Sequence, residues 1–361
     1  MSESVNTQEI EMYDDDAIAI KAAEEKQARI EADLEKPYDP DAILEIRHLS
    51  KRFPIKKSLL GKVEKELVAV DDVSFTLKAG ETLGIVGESG CGKTTLGRAI
   101  LKLHEPSGGR IIFNGEDITD YNVREMRKHR TKMQIIFQDP YSSLPPRSTV
   151  GDILSEPVQV HGIVPKDEVK DYVLSLMDKC GLRDYYFERY PHEFSGGQRQ
   201  RICIARALSV NPELVICDEP VSALDVSIQA QIINLLKELQ QSMNLTYIFI
   251  SHDLSVVKFI SDKIGVMYLG SMVEFGEKKD IFKNPLHPYT QALFSAIPNP
   301  DPDVKMNRIV LSGDIPSPTN PPKGCRFHTR CPHATEKCKH VAPEYREYEP
   351  GHFVACHLLE K

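Results

Sequence analysis

The sequence predicts an α/β fold built on a mainly parallel sheet, and three observations support that prediction. Apolar strands alternate with amphipathic helical segments; the strands are "ETLGIVG" (81–87), "ELVICDE" (213–219) and "TYIFISHD" (246–253). A glycine-rich loop ends the first of these strands and leads into a helix. The chain of 361 residues is also long enough for a large core and two domains. Strands that alternate with helices favour a parallel sheet covered by helices on both faces.

The first 41 residues form an acidic tail, which we expect to be flexible or weakly helical. They carry 13 acidic and 4 basic side chains, so the remainder of a chain with net charge −8 is close to neutral. A near-neutral folded part argues against a nucleic-acid partner. We recognise no secretory signal and no membrane-spanning run, so any role at a membrane needs an integral partner. The eight cysteines then indicate a reducing compartment.

The chain divides into three predicted parts. The acidic tail covers residues 1–41, and a main folded domain covers 42–295 with a helical subdomain at about 139–195. In this domain "VAVDDVSFTL" (68–77) and "RIIFNGEDI" (110–118) predict strands. Residues 296–361 combine a Pro-rich linker with a small Cys-rich C-terminal extension.

The glycine-rich loop "GESGCGKTT" matches the phosphate-binding pattern in its required strand–loop–helix context. Glycines let successive backbone N–H groups point at phosphates, and the helix start favours an anion. Lys93 is expected to reach the β and γ phosphates and Thr94 to bind Mg²⁺. Cys91 is expected to be partly exposed and sensitive to oxidation. The predicted phosphate site comprises Gly87, Glu88, Ser89, Gly90, Cys91, Gly92, Lys93, Thr94 and Thr95.

Two acidic residues follow the apolar strand "LVIC" at its carboxyl end, where α/β sheets bind ligands. Asp218 is suited to hold Mg²⁺, directly or through water. Glu219 is suited to orient or deprotonate an attacking water molecule. Combined with the phosphate loop, the pair predicts hydrolysis of a nucleoside triphosphate.

The segment "FSGGQRQR" (194–201) resembles the signature of the ATP-binding-cassette (ABC) ATPases. Phe194 stands where leucine is more familiar in that family, an apolar exchange. A hydroxyl before two glycines at a helix start forms a second anion site. The resemblance implies that this site contacts the γ phosphate of an ATP held by a partner subunit, through Ser195, Gly196, Gly197 and Gln198. It also implies that residues 42–295 form an ABC-type P-loop nucleotide-binding domain with a mainly parallel sheet core, an antiparallel β subdomain and a helical subdomain.

Other segments resemble further elements of this family. Gln138 in "IIFQDP" resembles the glutamine that links the Mg²⁺ and water site to the membrane partner, and Asp225 in "SALD" resembles the loop that crosses the dimer interface. His252 in "FISHD" resembles the histidine that holds the γ phosphate. Phe53 occupies the place of the aromatic residue that stacks on adenine, although an ordinary buried phenylalanine is equally open. The resemblance implies catalysis by Lys93, Gln138, Glu219 and His252, with Mg²⁺ held by Thr94, Gln138 and Asp218.

Longer stretches resemble the ATPase subunits of oligopeptide and dipeptide importers, among them "YPHEFSGGQRQRICIARAL" (190–208) and "NPLHPYTQAL" (284–293). "GESGCGKTTLGRAIL" and "DPYSSLPPR" are closer to the F-type subunit than to its D-type partner. Pro145 departs from the expected asparagine, and this departure leaves the detailed contact with the membrane subunit open. The resemblance implies a D-type partner ATPase, two permease subunits, an extracellular peptide-binding protein and a peripheral position at the cytoplasmic face. Nickel or sugar importers, and a soluble ABC ATPase with a redox- or metal-sensing tail, remain alternatives.

The C-terminal part contains four cysteines spaced C-x5-C-x6-C-x17-C among several histidines. Four thiolates can hold zinc or an iron–sulfur cluster, and the spacing does not decide between them. The resemblance favours a [4Fe–4S] cluster, because the extension of peptide-importer ATPases resembles a cluster-binding module in some members. Bound zinc, and thiols that hold no metal, remain alternatives. The candidate ligands are Cys325, Cys331, Cys338 and Cys356.

Overall fold

The structure is a computed structural model that describes residues 24–57, 63–297 and 308–360. Most of the predicted acidic tail (1–23) and the middle of the predicted linker (298–307) lie outside the described residues. The strands of the described residues are β1 Ala42–Lys57, β2 Val63–Lys78, β3 Thr82–Val86, β4 Gly108–Phe113, β5 Glu116–Asp117, β6 Met133–Ile136, β7 Leu214–Asp218, β8 Thr246–Ile250, β9 Lys263–Tyr268, β10 Ser271–Glu277, β11 Tyr345–Glu349 and β12 His352–Ala355.

Helices connect and cover these strands. Within the described part of the chain, none is long and apolar enough to cross a membrane. They are α1 (residues 24–34), α2 Lys93–Ile100, α3 Val123–Arg130, α4 Pro140–Ser143, α5 Val150–His161, α6 Val169–Lys179, α7 Gly196–Leu208, α8 Val226–Met243, α9 Leu254–Ile260, α10 Lys278–Lys283, α11 Pro288–Ser295 and α12 Glu336–His340.

The main sheet has eight strands in the order β11-β12-β10-β9-β3-β8-β7-β6. Its five strands from β9 to β6 run parallel, and every residue of β3, β7 and β8 is buried. Continuous apolar strands are typical of a parallel sheet covered on both faces. The carboxyl ends of these strands meet at one edge, which places the phosphate loop beside the acidic end of β7.

A second sheet is antiparallel, with the order β2-β1-β4-β5. The segment predicted as a single strand over 110–118 forms the hairpin β4–β5. Asn114 (φ 51°) and Gly115 (φ 74°) both have positive φ, the geometry of the tight turn that Asn-Gly favours. Helix α2 packs between the two sheets, since Leu96 and Ile100 share one buried core with Val70 of β2 and Ile216 of β7. This packing fixes the helix that begins at the phosphate loop.

The C-terminal segment is not a separate appendage, because two of its strands extend the main sheet. Strand β12 pairs antiparallel with β10, with Phe353 opposite Phe275 and Val354 opposite Glu274. Glu274 is completely buried, and its Oε1 lies 2.8 Å from Nε2 of His352 on β12. Sequence patterning gave no indication of this pairing, since the "HFVA" strand is short and lies after the Cys-rich segment.

Part of the acidic tail packs against the antiparallel sheet. Helix α1 and the residues after it are bound by Arg47, which donates to the carbonyl oxygens of Asp33 (3.0 Å), Lys36 (2.6 Å) and Pro37 (2.7 Å). Arg47 is only 7% exposed, so a buried guanidinium satisfies the hydrogen-bonding capacity of these three carbonyl oxygens. The described part of the tail is thus helical over residues 24–34 and is bound to the antiparallel sheet through Arg47.

Candidate functional site

The glycine-rich loop lies between β3 and α2 with the backbone geometry that its glycines predict. Gly90 (φ 77°) and Gly92 (φ 106°) are in the left-handed region that favours glycine. A Cβ on Gly92 would also lie 2.1 Å from the carbonyl oxygen of Ala69. The loop thus requires glycine at position 92. It leads directly into the N-terminus of α2, whose first N–H groups favour an anion.

The side chain of Lys93 is buried in the loop, with 5% of the residue exposed. Its Nζ donates to the carbonyl oxygens of Gly87 (2.8 Å) and Glu88 (3.0 Å). An ammonium group fixed at the loop backbone can exchange these carbonyls for phosphate oxygens when a nucleotide binds.

Asp218 and Thr94 form the part of the site that suits Mg²⁺. The Thr94 hydroxyl donates to Oδ1 of Asp218 at 2.7 Å, and Asp218 ends strand β7 with 2% of its surface exposed. Burial raises the pKa of Asp218, while the hydrogen bond from Thr94 and the nearby Arg98 oppose that rise. One hydroxyl and one carboxylate fit Mg²⁺, which in phosphate-transfer sites keeps waters and binds substrate phosphates with few protein ligands.

Glu219, Gln138 and His252 meet beside this pair. Nε2 of Gln138 donates to Oε2 of Glu219 at 2.8 Å, and Nδ1 of His252 lies 3.4 Å from the same oxygen. Glu219 has φ 48°, an unfavourable value for a residue with a side chain. Its backbone N–H donates to the carbonyl oxygen of Ile250 at 3.0 Å, a bond that holds the residue in this conformation. Such outliers concentrate at functional sites.

These residues line one cavity of about 500 Å³, within the usual size of a small-molecule site. Most of its wall was predicted from the sequence. Sequence reasoning missed two residues of β2 and one from the Pro-rich segment, whose positions depend on tertiary packing. The lining residues are Leu67, Ala69, Ser89, Gly90, Gly92, Lys93, Thr94, Thr95, Gln138, Glu219, His252 and Pro318.

The predicted signature residues do not line this cavity. Ser195 caps helix α7, where its hydroxyl accepts from the Gln198 N–H at 3.4 Å, and its own N–H donates to Oε1 of Gln198 at 3.0 Å. Gly196 and Gly197 form the first turn, and a Cβ on Gly197 would lie 2.5 Å from Ile228. Asp225 is exposed at the start of α8. The structure thus separates the signature, including Ser195 and Gln198, from the chain's own phosphate loop.

Phe53 also lies outside the lining of the cavity. Its ring packs edge-on against His104 at 5.3 Å, and Nζ of Lys51 lies 4.7 Å from the ring centre. Its strand partner Leu67 lines the cavity instead. The adenine-stacking role of Phe53 therefore stays a prediction.

Cys91 is buried, which corrects the expectation that it is partly exposed. Only 6% of the residue is accessible, and its Sγ lies 3.8 Å from Nζ of Lys93. Burial raises the pKa of the Cys91 thiol despite the neighbouring ammonium. A buried, protonated thiol is a poor nucleophile, so the expected sensitivity to oxidation loses its basis.

The four C-terminal cysteines are free thiols in one small region, the C-terminal module, whose described residues are 308–360. The Cys325 N–H donates to the Cys338 carbonyl oxygen at 2.8 Å. Burial, with smaller contributions from Cys338, Cys356 and Cys331, raises the pKa of Cys325 to about 12, and a hydrogen bond from the Phe327 backbone opposes that rise. Nevertheless, no group of three or more Cys, His, Asp or Glu among the described residues has an arrangement that could hold a metal ion.

Comparisons with known families match two regions of the chain. Residues 70–222 match the family described as "ABC transporter", and residues 273–338 match "Oligopeptide/dipeptide transporter, C-terminal region". The first match contains the phosphate loop, Gln138 and Glu219, and the second contains three of the four C-terminal cysteines.

Individual relatives cover nearly the whole chain. The oligopeptide transport ATP-binding protein AppF of Bacillus subtilis is 56% identical over 88% of this chain and 98% of its own length. The dipeptide transport ATP-binding protein DppF of Escherichia coli is 48% identical over 92% of this chain and 97% of its own length. Among solved structures, cbiO1 of Clostridium perfringens, part of the ABC transporter complex cbiONQ, has a TM-score of 0.58 and 30% identity over 68% of this chain and 92% of its own.

Proposed function

This chain belongs to the ABC transporter ATPases with an oligopeptide/dipeptide transporter C-terminal region, and from this membership we propose how its site works. It is an ATP-hydrolysing motor subunit of a membrane importer for peptides, and it uses ATP with Mg²⁺. The observation that supports the assignment most directly is the single cavity lined by the phosphate loop, Gln138, Glu219 and His252.

The roles proposed for these residues follow from their positions. Lys93 binds the β and γ phosphates, because its ammonium lies at the loop backbone. Glu219 orients the attacking water and accepts its proton, and Gln138 holds Glu219 in place. His252, whose Nδ1 lies 3.4 Å from the same carboxylate, binds the γ phosphate. Thr94, Asp218 and Gln138 bind Mg²⁺, which when present neutralises charge on the phosphates. Catalysis then consists mostly of positioning and charge stabilisation.

Replacing Glu219 with glutamine tests this assignment. The substitution Glu219→Gln preserves the shape of the side chain and removes only the proton acceptor. We expect Glu219→Gln to keep ATP affinity within about twofold and to lower ATP turnover by at least about 100-fold in the assembled transporter. Turnover is measured as phosphate release and affinity by titration with a fluorescent ATP analogue. Undiminished hydrolysis by the purified variant complex would exclude Glu219 as the proton acceptor.

We propose that the functional unit contains a second, D-type ATPase subunit. The signature residues at the start of α7, of which Ser195 is exposed and Gly196, Gly197 and Gln198 are partly exposed, lie outside the chain's own cavity and can act on a nucleotide held by that partner. The two ATPases work beneath two permease subunits at the cytoplasmic face, and an extracellular binding protein delivers the solute. Closure of the ATPase pair on ATP binding would move the permeases between inward and outward states.

The proposed solute is a peptide, and related nickel or sugar importers are the alternative. Reconstituted complexes can be tested with binding proteins loaded with dipeptide, longer peptide, nickel or sugar. Stimulation of ATP turnover by the peptide-loaded protein alone supports the proposal. Stimulation only by nickel or sugar would exclude it.

We further propose that Cys325, Cys331, Cys338 and Cys356 bind a [4Fe–4S] cluster, with zinc as the alternative. Support comes from the grouping of four thiols in one module, where the other three each raise the pKa of Cys325. Because no described group has metal-binding geometry, these side chains would have to turn toward a common centre. The cluster would then brace the module, and we assign it no step in hydrolysis.

Anaerobic purification followed by iron, sulfide and zinc analysis tests the metal proposal, with Cys331→Ser as the variant. Four irons per chain with a broad visible absorption that the variant loses would support the cluster. Stoichiometric zinc would support the alternative, and a metal-free chain would exclude both. A sensor role would require ATP turnover to change when the metal is removed.

A further inference from the structure

The C-terminal module touches the phosphate loop through a two-point ion pair. Nη1 of Arg330 lies 2.7 Å from Oε2 of Glu88, and Nη2 lies 3.0 Å from Oε1. Glu88 is the second residue of the loop, and the Arg330 side chain is 8% exposed. Parallel bonds between a guanidinium and a carboxylate fix orientation as well as distance, and burial protects them from screening. The predicted phosphate contact Glu88 thus directs its carboxylate to the module and not into the cavity.

Aromatic packing holds Arg330 and Glu88 in this geometry. Phe327, 1% exposed, packs its ring against Tyr268 (5.2 Å) and Tyr289 (5.4 Å). The Tyr289 hydroxyl accepts a hydrogen bond from the Glu88 N–H at 2.9 Å. Both the backbone and the side chain of Glu88 are therefore bound by residues C-terminal to the matched cassette region 70–222.

Glu88 transmits this restraint to the reactive part of the loop. Its carbonyl oxygen accepts one of the hydrogen bonds from the Lys93 ammonium, at 3.0 Å. The path from the module thus has two links, the Arg330 guanidinium to the Glu88 carboxylate and the Glu88 carbonyl to Lys93. A shift of Glu88 would displace the ammonium that the nucleotide needs.

Two more contacts bring the same module to the site. Arg326 donates to the Leu269 carbonyl and pairs with Asp71, and the adjoining Gly270 N–H donates to the Cys91 carbonyl at 2.8 Å. Pro318 lines the cavity, and its carbonyl accepts from the Val68 N–H at 3.1 Å. The module therefore borders the phosphate loop and the cavity wall at three separate points.

We propose that Arg330 is a positioning residue for the ATP site, which fixes the phosphate loop through its two-point ion pair with Glu88 and so makes ATP affinity depend on the docked C-terminal module. This inference rests on the proposed ATPase function and adds a control element to it. Arg330 does not line the cavity, so its effect falls on binding of the nucleotide and not on the chemical step.

The test compares Arg330→Gln, Arg330→Lys, Glu88→Gln and the double variant Glu88→Gln/Arg330→Gln in the full chain. Titration with a fluorescent ATP analogue gives Kd, and the assembled transporter gives KM and kcat for ATP. We expect Arg330→Gln to raise Kd and KM about tenfold with kcat within about twofold. The Kd of Arg330→Lys should lie between those of Arg330→Gln and the wild type, because lysine keeps the positive charge but cannot form the two parallel hydrogen bonds of a guanidinium. The double variant should bind ATP no more weakly than the single variant with the lower affinity.

Lys337→Gln provides the matched control, since the Lys337–Glu360 ion pair lies entirely within the module. We expect this variant to keep the wild-type Kd. A Kd for Arg330→Gln that equals the wild type would overturn the proposal, as would equal Kd increases in Arg330→Gln and Lys337→Gln, or additive effects in the double variant. Failure of the wild-type chain to bind ATP would instead reject the proposed function, and the positioning role with it.

Discussion

At the residue scale, His287 shows how burial makes one side chain sensitive to acid. It is the residue before α11, where its Nδ1 accepts a hydrogen bond from the Tyr289 N–H at 3.0 Å. Burial lowers the pKa of His287 to about 4, and the attraction of the buried Glu274 does not offset this. Glu274 accepts a hydrogen bond from the backbone N–H of His287 at 3.0 Å, and its other carboxylate oxygen lies 2.8 Å from Nε2 of His352, so one buried carboxylate contacts both residues. Protonation of His287 at Nδ1 would remove the acceptor that caps the helix.

This pKa predicts a loss of stability on acidification. The unfolded state takes up a proton near pH 6.5 and the folded state only near pH 4. Between these values the unfolded state binds more protons, so stability falls as pH decreases, by about 2 kcal/mol between pH 7 and pH 5. His287→Asn keeps a capping acceptor without the titration. We expect the wild type to lose more thermal stability than His287→Asn over this range, and parallel melting curves would contradict the assignment.

The residues that sequence reasoning identified are those with short-range patterns. The phosphate loop, Asp218 and Glu219 each occupy a position that neighbouring residues define, and the structure brings the loop and both acids together. Pro318 had no such signal, because its place in the cavity wall depends on a hydrogen bond to Val68, 250 residues earlier in the sequence numbering. Arg330 was missed for the same reason.

At the element scale, helix α7 combines a structural cap with the proposed contact to a partner's nucleotide. Ser195 forms a capping box with Gln198, and neither residue lines the chain's own cavity. One side chain thus has a local role and a proposed intermolecular role. The two roles can be separated by the choice of assay.

Replacing Ser195 with alanine separates them. Loss of the cap should lower stability by about 1 kcal/mol. We expect ATP binding by the isolated full chain to stay at its wild-type affinity, while turnover in the assembled transporter falls at least about tenfold. Ser195→Thr keeps a capping hydroxyl and serves as the control for stability. A reduced affinity in the isolated chain would show that Ser195 acts on the chain's own nucleotide.

Elements differ in how far the sequence predicts them. Strands β3, β7 and β8 were predictable because a short, uninterrupted apolar run between helical segments favours a buried strand. The hairpin β4–β5 was predicted as one strand, because residues on both sides of the turn have a β pattern. The turn at Asn114 and Gly115 divides that segment into two strands. Strands β11 and β12 were missed, since exposed residues such as "YREYE" carry little apolar periodicity.

At the scale of the whole molecule, the comparisons confirm the predicted ABC fold class and the peptide-importer family. Sequence similarity identified the parts but not how the C-terminal module joins them. Its strands continue the main sheet, its Arg330 binds the phosphate loop, and α1 reaches it through an ion pair between Arg29 and Glu344. These contacts link segments distant in the chain, so no local pattern could predict them.

The pairing of β12 with β10 has a consequence for the solubility of a shortened cassette. A chain cut after Ser295 would retain β10 but lose β12, and the backbone groups of Glu274 and Phe275 would face solvent along an open strand edge. The apolar residues Met272, Val273 and Phe275, now buried, would border that edge. Unprotected apolar edges recruit strands from other molecules. By covering the edge of β10, the module thus opposes self-association of the protein. A shortened cassette that lacks the module would need another way to protect this edge.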